Sequence, residues 1–397
     1  MKNPKVQTAL VLALTFAALW GLLVWDPFRH LRDLFVNPAQ EQAKVSLVFT
    51  DPTTQEVSDG QHPLESLRKL EPSWCSVPKE TRYILTGNSQ TFSVLLAPSE
   101  APPTKPDRTY PDLLLERLNT AGVDVHGYRL SAPNISYMEV LWYLNYLLVH
   151  SCLTPGKFVI QLNFETFRKT GVREGMLELL EDRAFASAIE QEVRSAAPYA
   201  NTFQQAIDQY QSRIAKQKGS QTSSSISKTG ITEARGFGTA LETKVRTALD
   251  RFSLFRSRSQ LKAELLDFLY LARVNLLGIT PATKRSLGGG PLTTNLSSLE
   301  RIGDLCRRNG IRLVFFNAPQ NPNAPLYRTA ADHEHYQQII SGLSRKFAEG
   351  YFDFENSIPG PLWGVWIDGP DPIHFGRAAH RRLADLMFEQ GVISGER

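Results

Sequence analysis

Residues 81–90 read Thr81-Arg82-Tyr83-Ile84-Leu85-Thr86-Gly87-Asn88-Ser89-Gln90. The first six favour a β-strand, since branched and aromatic side chains suit a pleated, buried surface. Gly87 and two polar residues follow at once, and then an apolar segment predicted to open a helix. Ser89 therefore sits at a strand-to-helix junction.

Working outward, the same alternation recurs. Asp112–Thr120 has leucines at helical spacing and ends before Gly122, as helices often do. Val123–Tyr128 is a predicted strand, Ser136–His150 a strongly apolar helix, and Lys157–Asn163 a strand apolar enough to be buried on both faces. Strands separated by helices imply a parallel sheet with crossovers. From about 171 to 280 the pattern turns helical and polar, split by a Ser/Thr/Gly-rich loop at 219–230, and Gly288-Gly289-Gly290 marks the return. The alternation then resumes: helix Leu296–Asn309, strand Ile311–Asn317, helix His333–Phe347, strand Gly350–Phe354, and a last helix at about 376–390. Five strands with helices between them predict an α/β, flavodoxin-like three-layer sandwich, with ligand binding beyond the carboxyl ends of the strands. The domains expected are 81–170 with 291–397 for this sandwich, and a helical insertion at 171–290.

The N-terminus carries a different signal. Lys2 and Lys5 precede an uncharged apolar run, Thr8–Trp25. Eighteen residues make about 27 Å of helix, near the hydrocarbon thickness of a bilayer. Trp20 and Trp25 lie toward the far end, and no small-x-small cleavage site follows. Residues 1–25 are read as an uncleaved transmembrane anchor, 26–80 as a membrane-proximal segment with one strand at Lys44–Thr50. The charge bias places the N-terminus inside and the bulk of the chain outside the membrane.

The 397 residues are 42% hydrophobic and 21% charged, with a net charge of +4. That is a composition for burying a core, and it offers no basic face for nucleic acid. The three cysteines form no C-x-x-C pair, which argues against structural zinc. Cys75 and Cys152 precede the first and third sandwich strands, which are neighbours in flavodoxin-like order. A disulfide is expected between them, requiring an oxidising compartment. Cys306 lies on an apolar helix face and reads as a small buried hydrophobe. The cluster Asp332-His333-Glu334-His335 reads as a solvated helix start, because histidines two apart point to different sides. Arg307, Arg308 and Arg312 read as a solvated face. The triple glycine lacks the Lys-Ser/Thr of a phosphate loop. No metal or organic cofactor is expected.

The chemistry lies in where particular residues fall on this scheme. Ser89 follows the first strand, Asn163 ends the third, and Asp371 and His374 precede the last helix, in a predicted loop. All four map to one edge of the sheet. A serine hydroxyl needs a neighbouring base, and imidazole titrates near neutral pH. Asp371, three residues before His374, can fix its tautomer; Asp368 is the competitor for that role. Backbone N–H groups at Ser89 and the Asn163 amide are candidate oxyanion donors.

These motifs resemble the SGNH (GDSL-like) hydrolase superfamily. Gly87-Asn88-Ser89 matches its Gly-Asp-Ser block with Asn for Asp, and Asp371-Pro372-Ile373-His374 matches its Asp-x-x-His block. Leu162-Asn163 matches the asparagine block loosely, with Gln161 and Phe164 where Gly and Asp are usual. The oxyanion glycine block corresponds best to 127–134, leaving Gly127, Ser131 and Ala132 as open alternatives. With its anchor and insertion, the layout is similar to membrane-anchored SGNH-like proteins that accompany bacterial membrane-bound O-acyltransferases. The resemblance implies a single-pass inner-membrane protein with a periplasmic esterase or O-acyltransferase domain. Its substrate would be an acylated polysaccharide or cell-wall polymer, and its partner a membrane-bound O-acyltransferase. The alternative is a non-catalytic envelope-assembly or glycan-binding protein on a degenerate SGNH fold, to which Asn88 and the altered asparagine block point.

Overall fold

The computed structural model describes residues 48–50, 57–59, 63–91, 94–100, 108–132, 134–222, 284–324, 326–366 and 369–394. The expected anchor at 1–25, much of the 26–80 segment, and the 223–283 part of the insertion lie outside the described residues. Among the described residues no helix is long and apolar enough to cross a membrane.

In chain order, strands β1 (Val48–Thr50) and β2 (Val57–Asp59) pair antiparallel and are followed by helix α1 (Pro63–Cys75). Next come β3 (Arg82–Gly87), α2 (Tyr110–Thr120), β4 (His126–Ser131), α3 (Tyr137–Val149) and β5 (Lys157–Leu162). The insertion supplies α4 (Arg183–Arg194) and α5 (Ala200–Thr222). The chain returns through α6 (Gly289–Arg308), β6 (Arg312–Asn317), α7 (Ala330–Phe347) and β7 (Gly350–Asp353). A small antiparallel hairpin, β8 (Trp363–Trp366) and β9 (Gly369–Phe375), leads into α8 (Arg377–Glu389).

The main sheet runs β2-β1-β4-β3-β5-β6-β7. Its five strands from β4 to β7 are mutually parallel. Counted along the chain these five lie in the order 2-1-3-4-5, that of a flavodoxin-like sandwich. Strand alternation sends side chains to two cores. Ile84, Phe158, Ile160 and Phe315 face α3, α6 and α7, while Tyr83, Leu85, Val159 and Phe316 face α2 and α8. The helices begin where their caps dictate: Ser136 and Glu139 form a reciprocal capping box on α3, and Thr109 with Asp112 does so on α2. The described helices of the insertion join the first core, with Phe185 and Phe203 set edge-on to Trp142 of α3.

Cys75, ending α1, is bonded to Cys152 in the turn before β5, and β3 and β5 are neighbours. Cys306 is buried and free.

Several expectations are corrected. The strand expected at 123–128 runs three residues later, because Gly127 leaves room for the Tyr83 side chain of β3 and Arg129 reaches inward to Asp112. Of the strand at 44–50, Val48–Thr50 is described, and it gains a partner, β2, that was not anticipated. Helix α1 falls in the 26–80 segment, for which a strand and no helix was expected. Helix α6 starts at Gly289 rather than Leu296, so two of the three glycines form its first turn.

Candidate active site

The site is assembled at the carboxyl edge of the parallel strands. Register carries Ser89 and Asn163 to it together: Thr86 is aligned with Ile160, and each site residue lies three positions further on. Ser89 does not open a long helix, contrary to expectation. It starts a single 3₁₀ turn, Ser89–Thr91, so no helix dipole assists there. The turn is set by Asn88, whose Oδ1 accepts the Gln90 N–H at 3.0 Å and whose carbonyl accepts the Thr91 N–H at 3.0 Å. An amide oxygen does this as well as a carboxylate would, so Asn88 in place of Asp costs the turn no acceptor.

Asp371 and His374 are not in a loop but in β9. The partners Val365↔Pro370 and Trp363↔Phe375 leave Asp371–His374 opposite Gly364 alone. This is an enlarged bulge, and bulges re-aim side chains beside active sites. Leu95 fills the space over Gly364; a Cβ there would come within 2.5 Å of its Cδ2.

The bulge aims the imidazole at the serine. His374 Nε2 lies 2.7 Å from Ser89 Oγ, and Nδ1 lies 3.1 Å from Asp371 Oδ2. The other carboxylate oxygen of Asp371 accepts the backbone N–H groups of Ile373 and His374, each at 2.6 Å. Asp371 is 3% exposed. Burial pushes its carboxyl up, but the hydrogen bond and charge of His374 and the two backbone donors hold it below the usual carboxylate value. An ionised carboxylate only accepts, so Nδ1 carries the proton and Nε2 is left to accept from the serine hydroxyl.

The oxyanion candidates separate. Gly127 pairs with Tyr83 near the opposite, amino-terminal edge of the sheet and is removed from the set. The N–H of Ala132 donates to the Gly87 carbonyl at 3.3 Å and is engaged. Ser131 lies beside Gly87 at the correct edge, and its buried hydroxyl has no hydrogen bond among the described residues. Asn163 is 5% exposed, and its Oδ1 accepts the Glu165 N–H at 2.8 Å. That bond occupies the amide oxygen, so donation to a bound oxygen falls to the NH₂ end. Asp368, the competitor for Asp371, lies outside the described residues.

Sequence reasoning missed two members of this neighbourhood, Gln90 and Gln161. Both side chains are buried, and they bond to each other at 2.7 Å. The available signal was a glutamine inside the buried run Phe158-Val159-Ile160-Gln161-Leu162.

No metal-binding geometry involves the site among the described residues. The only ligand-like cluster there is Glu71 with Cys75 and Cys152, whose sulfurs are joined. His333 faces Glu355 at 3.7 Å, and Arg312 pairs with Glu349 on the surface.

No family model matches the chain, and no curated protein matches it. Solved structures do. A carbohydrate acetylesterase from Sinorhizobium meliloti is 11% identical, over 78% of this chain and 97% of that chain, at a TM-score of 0.32. A GDSL-like lipase from Bacteroides thetaiotaomicron is 8% identical, over 82% and 96%, at 0.32. An active-site mutant of a family two carbohydrate esterase from Clostridium thermocellum is 10% identical, over 79% and 64%, at 0.34. The structural neighbours are thus GDSL-like lipases and carbohydrate esterases, and the overlaps are loose.

Proposed function

We propose that this chain is a serine acyl-transfer enzyme that acts on O-acylated polysaccharide through an acyl-enzyme at Ser89. The observation that carries the reading is the unbroken line from Asp371 through His374 to Ser89, with distances of 3.1 and 2.7 Å. Three such groups in hydrogen-bonding sequence form a nucleophile, its base and the base's orienting partner.

The chemistry follows from the protons. Ser89 Oγ attacks the ester carbonyl carbon while its proton passes to His374 Nε2. The imidazolium is stabilised by Asp371. The carbonyl oxygen becomes an oxyanion, for which the Asn163 NH₂ and the Ser89 backbone N–H are the assigned donors. Each donor of this kind is worth about 2.7–4 kcal/mol of transition-state stabilisation. As the tetrahedral intermediate collapses, Nε2 returns the proton to the departing alcohol oxygen. Water, giving an esterase, or a sugar hydroxyl, giving an O-acyltransferase, then attacks the acyl carbon; its proton passes to His374 Nε2 and from there to Ser89 Oγ as the acyl–serine bond breaks.

The anchor read at 1–25 and the bond between Cys75 and Cys152 support an extracytoplasmic domain held at the inner membrane, since disulfides persist in oxidising compartments. There a membrane-bound O-acyltransferase is the proposed partner and a cell-envelope polymer the proposed acceptor. The decisive experiment is labelling of the full chain with a fluorophosphonate probe. Labelling that disappears in Ser89→Ala supports the enzyme. Unlabelled wild type, with Ser89→Ala fully functional in cells, favours the non-catalytic glycan-binding alternative.

A further inference from the structure

Gln161 belongs to β5 and faces the same side of the sheet as Gly87 of neighbouring β3. A Cβ on Gly87 would come within 2.6 Å of Gln161 Oε1, so the glycine makes the room that the amide fills. From there Gln161 touches the nucleophile turn twice. Its Oε1 accepts the Asn88 N–H at 3.0 Å, and its Nε2 donates to Gln90 Oε1 at 2.7 Å. Gln90 passes the connection on. Its Nε2 donates to the Pro319 carbonyl at 3.0 Å and to the Ile373 carbonyl at 2.6 Å. Ile373 is the residue before His374. The polarity of the chain is fixed: a reversed Gln90 would set its oxygen against two carbonyls, and a reversed Gln161 would set its NH₂ against the Asn88 N–H. Gln90 is 1% exposed and Gln161 2%, so both amides are buried.

Resting on the acyl-transfer reading above, we propose that Gln161 and Gln90 are positioning residues. They form a two-amide relay that ties the backbone on either side of Ser89 to the bulge carrying His374, and so set the approach of Oγ to Nε2. Serine and histidine lie 285 positions apart in sequence, one in the turn that follows β3 of the main sheet and the other in β9 of the separate hairpin. The relay spans that gap. A misplacement of reacting groups of about 1 Å can cost about 100-fold in rate, so a loosened relay is read in turnover rather than in binding.

The test uses the purified full-length chain, 4-nitrophenyl acetate as substrate and a fluorophosphonate as the serine probe, on wild type, Gln90→Met, Gln161→Met and Gln161→Glu. Methionine keeps the length of the side chain and removes its hydrogen bonds. Both methionine variants are expected to label at least about tenfold more slowly and to lose kcat, with KM little changed. Gln161→Glu keeps the acceptor for Asn88 but donates to Gln90 only when protonated. Its rate relative to wild type at the same pH is therefore expected to recover as the pH is lowered, burial having raised the pKa of the new carboxyl. A merely structural glutamine would not give that pH-dependent ratio. Wild type that labels, beside folded variants that label equally fast or a Gln161→Glu ratio flat with pH, would overturn the relay and leave the acyl-transfer reading standing. Wild type that does not label at Ser89 overturns both. If the methionine variants do not fold, the Gln161→Glu ratio alone decides.

Discussion

His374 Nδ1 stands 3.1 Å from Asp371 Oδ2, three positions earlier in the same strand. In a straight strand, residues three apart point to opposite faces and lie about 10 Å apart. The bulge removes that distance, and the Asp371 carboxylate holds the bulge by accepting the Ile373 and His374 N–H groups. One side chain thus shapes the turn and orients the base. Asp371→Asn is expected to lower kcat by about 10⁴-fold, the scale of losing the correct tautomer in such triads. It should also change the acid response. The Asp371 carboxyl is held below its ordinary 3.8 in the fold, so its ionised form stabilises the native state. That contribution is present above 3.8 and is lost as the pH falls through the lowered folded value. Thermal unfolding between pH 2 and 7 should show a shallower acid decline in Asp371→Asn than in wild type; parallel curves would contradict the assignment.

Two glycines make a paired comparison. Gly87 and Gly127 lie on adjacent strands near opposite edges of the sheet. A Cβ at Gly87 would crowd Gln161, which bonds to the serine turn, and, closer still, Thr91, which ends that turn; one at Gly127 would come within 2.5 Å of the Tyr83 hydroxyl. Gly87→Ala is expected to reduce Ser89 labelling at least about tenfold by shifting the turn. Gly127→Ala is expected to cost about 1–3 kcal/mol of stability by overpacking, while the folded fraction keeps its activity. Urea unfolding and labelling rates on both variants check this, and equal effects on activity would sink it.

What the sequence showed was governed by period. The apolar runs of β5 and β6 and the capped, apolar α3 were legible because burial on both faces leaves no competing signal. Ser89, Asp371 and His374 were legible as types in order along the chain. The hairpin β8–β9 was not. Its bulge breaks the two-residue alternation, and Pro370 and Pro372 speak against a strand. Helix α1 was hidden by Pro72 and by polar composition. The serine turn was read as a helix start because the local pattern could not show that the Asn88 side chain closes it and that the Gln90 side chain reaches away to β9. Gln161 was seen as a departure from a motif; its use appeared only once β3 lay beside β5.

The disulfide closes a span of 77 residues between Cys75 and Cys152. Chain-entropy reasoning assigns a loop of that length about 4.5 kcal/mol of stabilisation. The bond also staples α1 onto the core, where Trp74 donates its ring N–H to the Leu153 carbonyl at 2.9 Å. Cys152→Ser is expected to lower stability by about 2–4 kcal/mol without slowing Ser89 labelling, since the bond lies before the amino-terminal ends of the strands. Thiol titration of denatured, unreduced wild type should find Cys306 alone; three reactive thiols would remove the claim.

Lys157 opens β5 beside Arg312 and is 6% exposed. Its ammonium donates to the Ile393 carbonyl beyond α8. Burial, with Arg312 adding to it and Glu349 opposing, lowers its pKa to about 8 from 10.5. The folded state thus sheds the proton while the unfolded chain still holds it. Between these values the unfolded state binds more protons, so stability rises with pH across that window. At pH 7 both states are charged and the cost of burying the ammonium is paid in full. Lys157→Met carries no such proton. The stability difference between wild type and Lys157→Met should therefore shift in favour of wild type by on the order of 2 kcal/mol from pH 7.5 to 10.5. Urea unfolding at the two pH values measures it, and a difference independent of pH would mean that the ammonium stays as well solvated in the fold as in the open chain.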